Sequence, residues 1–304
     1  MELRTLHAHM PAMREVTAIK QIHKGFSYDA KYFLYEAGDR PSYVLRTSAL
    51  RYAARKRGEF EALGRAFRHG IATSEPLGFG VIEPLELCYM VLRCVEGEDA
   101  AERLPLLPAE EQRRIGIDAG KELRLLHELD APAGLEPWHD RRLAKHRRQL
   151  ADYRSCGVKL PGDEAVVAFI EANAHLMHGR PDRFQHDDFH PSNLLVTDRG
   201  YSGMIDFNRY DWGDPYHDFL KIAYFSREVS VPFSIGQIEG YFEGEAPESF
   251  WRLYALYTAM ILLPTITWTL QTVPKQLDSM LERIRVVLDD HRQFDSVVPA
   301  WYRP

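Results

Sequence analysis

His186-Asp187-Asp188-Phe189-His190-Pro191-Ser192-Asn193-Leu194-Leu195-Val196, the turn Thr197-Asp198-Arg199-Gly200, and Tyr201 to Asp206 decide how this chain is read. An acid, an amide five residues on, a short apolar run, a glycine-containing turn and a second run ending in an acid follow one another. Leu194 to Val196 and Tyr201 to Ile205 are expected to be two strands of a hairpin. With the turn centred near Asp198 and Arg199, antiparallel pairing brings Asp206 back beside Pro191 to Asn193. Oxygen donors converging in this way suit Mg²⁺, which takes few protein ligands and keeps several waters. Phosphoryl transfer needs that metal and one carboxylate to orient the attacking hydroxyl. Asp188 is the expected base, and Asn193 and Asp206 the expected metal ligands.

Working outward, the first ninety residues read as strand-rich. Strands are expected at Ile19 to His23, Lys31 to Glu36, Ser42 to Arg46 and Leu87 to Leu92, with a helix over Arg51 to Arg68 that Gly70 stops. Beyond Pro108 the pattern is helical. Glu110 to Asp130 carries a stripe of Ile115, Ala119, Leu123 and Leu126. Further helices are expected over Trp138 to Tyr153, Asp163 to His178, Ile235 to Phe242, Pro247 to Leu263 and Asp278 to Asp290. These elements predict an α+β, two-lobed, protein-kinase-like fold. A small antiparallel-sheet N-terminal lobe, residues 1–95, would bind nucleotide in a cleft behind a connector near Arg93 to Gly97. A large, mainly helical C-terminal lobe, residues 96–304, would carry the catalytic loop and the substrate site.

The remaining site residues follow from position. Gly25 and Ser27 lie between the first two expected strands, where a phosphate-covering turn belongs. An ordinary hairpin turn fits that stretch as well. Arg46 ends the third strand, placed to reach the α- and β-phosphates, with Glu59 as its first expected ion-pair partner and Glu61 as the second. Asp218 is placed to brace the catalytic loop by accepting backbone hydrogen bonds, or to cap a helix. His186 is read as holding the loop from behind. No Gly-x-x-x-x-Gly-Lys-Ser/Thr run occurs, so a P-loop is excluded.

Composition narrows the class. The chain has 304 residues, 45% hydrophobic and 27% charged, and its net charge of −6 argues against a general nucleic-acid binder. Cys88, Cys94 and Cys156 do not form a disulfide framework, and Met1 to Lys20 lacks the apolar core of a signal peptide. The expected setting is the cytoplasm, with no membrane and no obligatory protein partner. Leu253 to Pro274 contains no charged residue, but Pro264 is expected to break or kink it, giving a buried helix pair.

His186 to Asn193 resembles the His-Gly-Asp-x-His-x-x-Asn catalytic loop of the aminoglycoside phosphotransferase family. Ile205-Asp206-Phe207 is similar to its Ile-Asp-Phe metal motif, and Asp214-Pro215 with Asp218 to the Asp-Pro-x-x-Asp that follows. Gly25-Phe26-Ser27, Tyr43-Val44-Leu45-Arg46 and Glu59 fall where that family's small lobe places its nucleotide contacts. The resemblance spans roughly residues 15 to 303. It implies ATP or GTP and Mg²⁺ as cofactors, Asp188 as base, Asn193 and Asp206 on the metal, and Ser27 and Arg46 on phosphates. The acceptor it implies is a small-molecule hydroxyl, an aminoglycoside first. A macrolide, an amino alcohol or a sugar would use the same machinery. Asp187 stands where the family has glycine, so it either raises the Asp188 pKa by repulsion or points away. Arg46 stands where the antibiotic kinases have lysine.

Two other classes remain. A metal-dependent hydrolase would use His186, Asp187, Asp188 and His190 as ligands. A catalytically inactive, kinase-shaped binding module would lack the base or a metal ligand, and the sequence lacks neither.

Overall fold

The chain divides into two compact units, one of Met1–Gly97 with Ser202–Asn208 and one of Glu98–Tyr201 with Arg209–Pro304. The computed structural model describes residues 1–24 and 29–304, so Gly25 and Ser27 lie outside the described residues.

The smaller unit contains α1 (Leu3–His9), β1 (Ala18–Ile22), β2 (Ala30–Tyr35), β3 (Tyr43–Ala49), α2 (Ala53–Arg68), β4 (Pro76–Ile82) and β5 (Leu87–Arg93). Its sheet has the order β1-β2-β3-β5-β4, antiparallel throughout. Strand alternation sends Leu45 to one face and Arg46 to the other. The first face packs Tyr32, Leu34 and Leu45 against Leu6 and Met10 at the α1 end of the chain. Across α2, Lys56, Glu59, Ala62, Leu63 and Ala66 are buried, at helical spacing.

β4 was not expected from sequence. Gly78 and Gly80 hide it, because glycine weakens a strand signal. The Tyr89 ring of β5 lies over Gly80: a Cβ would come 2.5 Å from its hydroxyl, so any larger residue there would displace the ring.

The larger unit runs through β6 (Glu98–Asp99), α3 (Ala100–Arg103), α4 (Ala109–Leu126), α5 (Trp138–Ser155), α6 (Asp163–Asn173), β7 (Arg183–Gln185) and β8 (Leu194–Thr197). β9 (Gly200–Met204) begins in this unit, and the chain returns to it for β10 (Asp211–Gly213), α7 (Arg227–Val229), α8 (Val231–Phe242), α9 (Glu248–Thr272) and α10 (Leu277–Asp290). β8 is the middle strand of a three-stranded sheet between β6 and β9, so the expected hairpin forms. β7 pairs antiparallel with β10.

Helices α4 and α8 meet backbone to backbone. A Cβ on Gly116 would come within 2.2 Å of the Phe233 carbonyl oxygen, and one on Gly120 within 2.1 Å of that of Gln237. Gly236 and Gly240 face the carbonyls of Arg113 and Ile117 in the same way, at 2.1 and 2.0 Å.

α9 corrects the expectation of a helix broken at Pro264: it continues eight residues further, to Thr272. Proline removes one ladder bond and pushes back the preceding turn. Thr265 Oγ1 donates to the Ile261 carbonyl and Thr269 Oγ1 to that of Thr265, so hydroxyls serve carbonyls around the disturbed turn. By length and composition α9 is the one helix among the described residues able to cross a membrane, yet 72% of its apolar window is buried inside the protein.

Candidate active site

In the larger unit, residues His186 to Asn193 link β7 to β8 and end in one 3-10 turn, Pro191–Asn193. Asp218, fully buried, fixes the loop from behind. Its carboxylate accepts the backbone N–H of His186 at 2.8 Å and of Asp187 at 2.6 Å, and His127 Nε2 lies 3.0 Å away. His186 is itself fully buried. The helix-cap alternative belongs instead to Asp214, whose side chain accepts from the Tyr216 N–H.

Asp187 has a φ of +55°, the left-handed region that favours glycine. A non-glycine residue there stores roughly 1 kcal/mol, and two contacts offset it. Its N–H is bound by Asp218, and its Oδ1 lies 3.3 Å from His217 Nδ1. Burial pushes the Asp187 carboxyl up, but His217, Lys221 and Lys145 together bring it well below the usual carboxylate range. Asp187 is therefore turned to His217, and like-charge repulsion does not raise Asp188.

Asp188 Oδ1 lies 2.7 Å from Lys221 Nζ. Asn193 Nδ2 donates to the Asp188 carbonyl at 2.9 Å and to Oδ2 at 3.2 Å, which brings the expected base and amide together. His190 Nε2 and Arg209 Nε stand 3.6 and 3.9 Å from the carboxylate. Burial opposes ionisation, yet Lys221, His190 and Arg209 hold the carboxyl well below its ordinary value. A quarter of this side chain is exposed, 25%.

Sequence reading missed Lys221. Its signal was a lone cation in the apolar run Phe219-Leu220-Lys221-Ile222-Ala223-Tyr224, three residues after Asp218. A five-residue π-helical turn, Ile222–Ser226, follows it directly.

In the smaller unit, Arg46 donates to Glu59 at 2.6 Å, so Glu59 rather than Glu61 is its partner. Asp29, a residue sequence reading did not single out, accepts from Arg46 Nη2 and Ser48 Oγ at 2.5 Å each, and from Lys56 Nζ at 2.6 Å. Burial raises the Asp29 carboxyl, but Arg46, Lys56 and Ser48 bring it down to about 2. Lys56 also donates to Glu59 at 2.9 Å and to Asn208 at 3.0 Å. Burial works against the Arg46 charge, while Glu59, Asp206 and Asp29 raise its pKa above the ordinary arginine value. Asp206 adopts φ +68° and pairs with Lys31 at 2.8 Å, with Arg46 Nη1 at 3.5 Å.

Taken separately, Asn193 of the larger unit offers an amide oxygen and Asp206 of the smaller unit a carboxylate, both hard donors of the kind Mg²⁺ takes. Among the described residues no three of His, Cys, Asp and Glu gather as a metal-binding group. Of the four residues a hydrolase would use, Asp187 faces His217, Asp188 faces Lys221, and His190, 3.6 Å from Asp188, stacks its ring on Phe225, while the His186 ring meets Phe189.

Of the acids Asp211, Asp214, Glu239, Glu243 and Glu245, which could hold ammonium groups of a substrate, three are paired with arginines at hydrogen-bond distance. Arg180 grips Asp214 with two bonds of 2.7 and 2.8 Å, Arg124 meets Glu243 at 2.6 Å, and Arg113 bonds Glu239.

Comparison with known proteins follows the same direction. The family model described as the APH phosphotransferase enzyme family matches residues 18–251. Among curated proteins, none matches the chain. The GDP complex of wild-type aminoglycoside 2'-phosphotransferase-IIIa is similar in fold, with TM-score 0.70 at 12% identity over 93% of this chain and 96% of that one. The gentamicin complex of APH(2")-IIa gives TM-score 0.69 at 17% identity, covering 94% and 96%. A ternary complex of a thermostable APH(4)-Ia mutant with ADP and hygromycin B gives 0.65 at 18%, covering 94% and 97%.

Proposed function

We propose that this chain, which belongs to the phosphotransferase enzyme family, moves the γ-phosphoryl group of ATP or GTP onto a hydroxyl of a small molecule. The observation that carries the reading is the placement of Asp188: partly exposed, paired with Lys221, and joined to Asn193 in a loop fixed by Asp218.

A carboxylate held so far below its usual range is a weak base. Its work in this reading is to orient the acceptor hydroxyl and take its proton late, which suits a loose transition state with little early nucleophilic demand. Lys221 fixes one carboxylate oxygen and thereby the direction of the other. Asn193 and Asp206 would hold Mg²⁺, which supplies neutralisation of phosphate charge when bound. Glu59 and Asp29 keep Arg46 in place beside Asp206.

An aminoglycoside is the first acceptor to test, because structural relatives are complexes with gentamicin and hygromycin B. The arginine pairing of Asp214 and Glu239 favours a second reading, an acceptor with few ammonium groups, such as a sugar or another metabolite.

The test is Mg²⁺-dependent ADP or GDP release against aminoglycosides, macrolides, amino alcohols and sugars, with Asp188→Ala as control. Stimulation by one class, lost in the variant, supports the reading. Stimulation that survives in Asp188→Ala refutes the assignment of the base.

A further inference from the structure

On the side of the smaller unit's sheet that carries Arg46, three cations and three carboxylates meet: Lys31, Arg46 and Lys56 with Asp29, Glu59 and Asp206. The charges balance, but the cations are not equally committed. Arg46 directs Nε and Nη2 at Asp29 and Nη1 at Glu59, and only 5% of its side chain is exposed. Lys56 spends its three ammonium donors on Asp29, Glu59 and Asn208 and is 7% exposed. Among the described residues Lys31 makes a single ion pair, to Asp206, and it is 15% exposed. It stands directly across the β2–β3 ladder from Arg46.

We infer that Lys31, rather than Arg46, is the cation of this unit that contacts the nucleotide phosphates, and that it exchanges Asp206 for them when the metal–nucleotide complex binds. The inference rests on the phosphotransferase reading above. Turning Arg46 toward a phosphate would leave Lys56 shared by Asp29 and Glu59, two buried carboxylates, and under-compensated buried charge is unfavourable. Lys31 strands nothing. As its ammonium turns to a phosphate oxygen, the Asp206 carboxylate gains a divalent cation in its place. Each anion keeps a counter-charge, and the buried network around Arg46 does not move. Before that exchange Lys31 competes with metal for Asp206, so metal and nucleotide are expected to bind together rather than one at a time.

Calorimetry on the full chain separates the possibilities, with Mg·ADP as one probe and Mn²⁺ without nucleotide as the other. Lys31→Met should weaken Mg·ADP binding roughly tenfold or more, the scale of one charge-assisted hydrogen bond. The same substitution should tighten Mn²⁺ binding in the absence of nucleotide, because Asp206 loses its competitor. Lys31→Arg should restore much of the nucleotide affinity. The opposed directions exclude simple misfolding, which would weaken both. Unchanged Mg·ADP affinity in Lys31→Met, beside a wild-type chain that binds it, overturns the inference alone. Loss of Mg·ADP affinity in Arg46→Lys at unchanged Tm, with Lys31→Met unaffected, also overturns it and returns the contact to Arg46. A wild-type chain that binds no nucleotide with Mg²⁺ overturns the phosphotransferase reading, and this inference falls with it.

Discussion

Glu59 lies 2.6 Å from Arg46 and Asp188 lies 2.7 Å from Lys221, yet 3% of the first side chain is exposed and 25% of the second. Two ion pairs of nearly equal length thus have different uses. Around Glu59 each oxygen is taken, Oε1 by Arg46 and Oε2 by Lys56, and water has little access. Around Asp188, Lys221 takes one oxygen and the Asn193 amide meets the other at 3.2 Å, but solvent still reaches the group. A carboxylate whose partners and solvent are both closed off supports a structure. One with a fixed partner and an open side can receive a hydroxyl. The ion-pair distance alone would not have told them apart.

That contrast can be broken by experiment. Glu59→Ala should cost about 3–5 kcal/mol of stability, because it leaves Arg46 and Lys56 short of a buried counter-charge. Denaturant unfolding reads it, and a loss below about 1 kcal/mol would mean the network is not buried in solution. Asp188→Ala should behave in the opposite way. Turnover should fall about 10²-fold or more while Mg·ADP affinity stays near wild type.

A pH titration sharpens the same distinction on Asp29. Its folded carboxyl, at about 2, lies below the ordinary value of 3.8, so ionisation favours the folded state. That contribution is complete above about pH 4 and is lost as pH falls from there toward about 2. Asp29→Asn should flatten the acid limb of stability in that window, and an unchanged limb would assign it to other groups. The smallest effect belongs to Arg124→Ala. This pair with Glu243 is 44% and 61% exposed and screened by solvent, so its loss should leave the unfolding midpoint unchanged.

The loop His186 to Asn193 was readable because its parts lie within a few residues of one another, and local spacing limits local geometry. The five-stranded sheet was readable in four strands for the same reason. Lys31 and Asp206 are 175 residues apart, and Lys221 is 33 from Asp188, so no spacing rule could pair them. Asp29 resembled any turn aspartate until β3 and α2 brought Arg46, Ser48 and Lys56 onto it. β4 and the last eight residues of α9 failed for another reason. Glycine and proline were weighed by intrinsic preference, whereas a tyrosine ring and threonine hydroxyls decided the outcome.

The glycine seam between α4 and α8 has a consequence in time. Carbonyl oxygens against glycine Cα atoms leave neither slack for a slide nor space for water. Amide hydrogens along the seam should then exchange with solvent only when the whole larger unit opens, making them the slowest in the chain. His127, capping α4, joins that seam to Asp218 and, through its other nitrogen, to Tyr241 of α8. The aspartate that holds the loop His186 to Asn193 is thereby anchored to the part of the molecule that opens last, and that loop should keep its shape over long times.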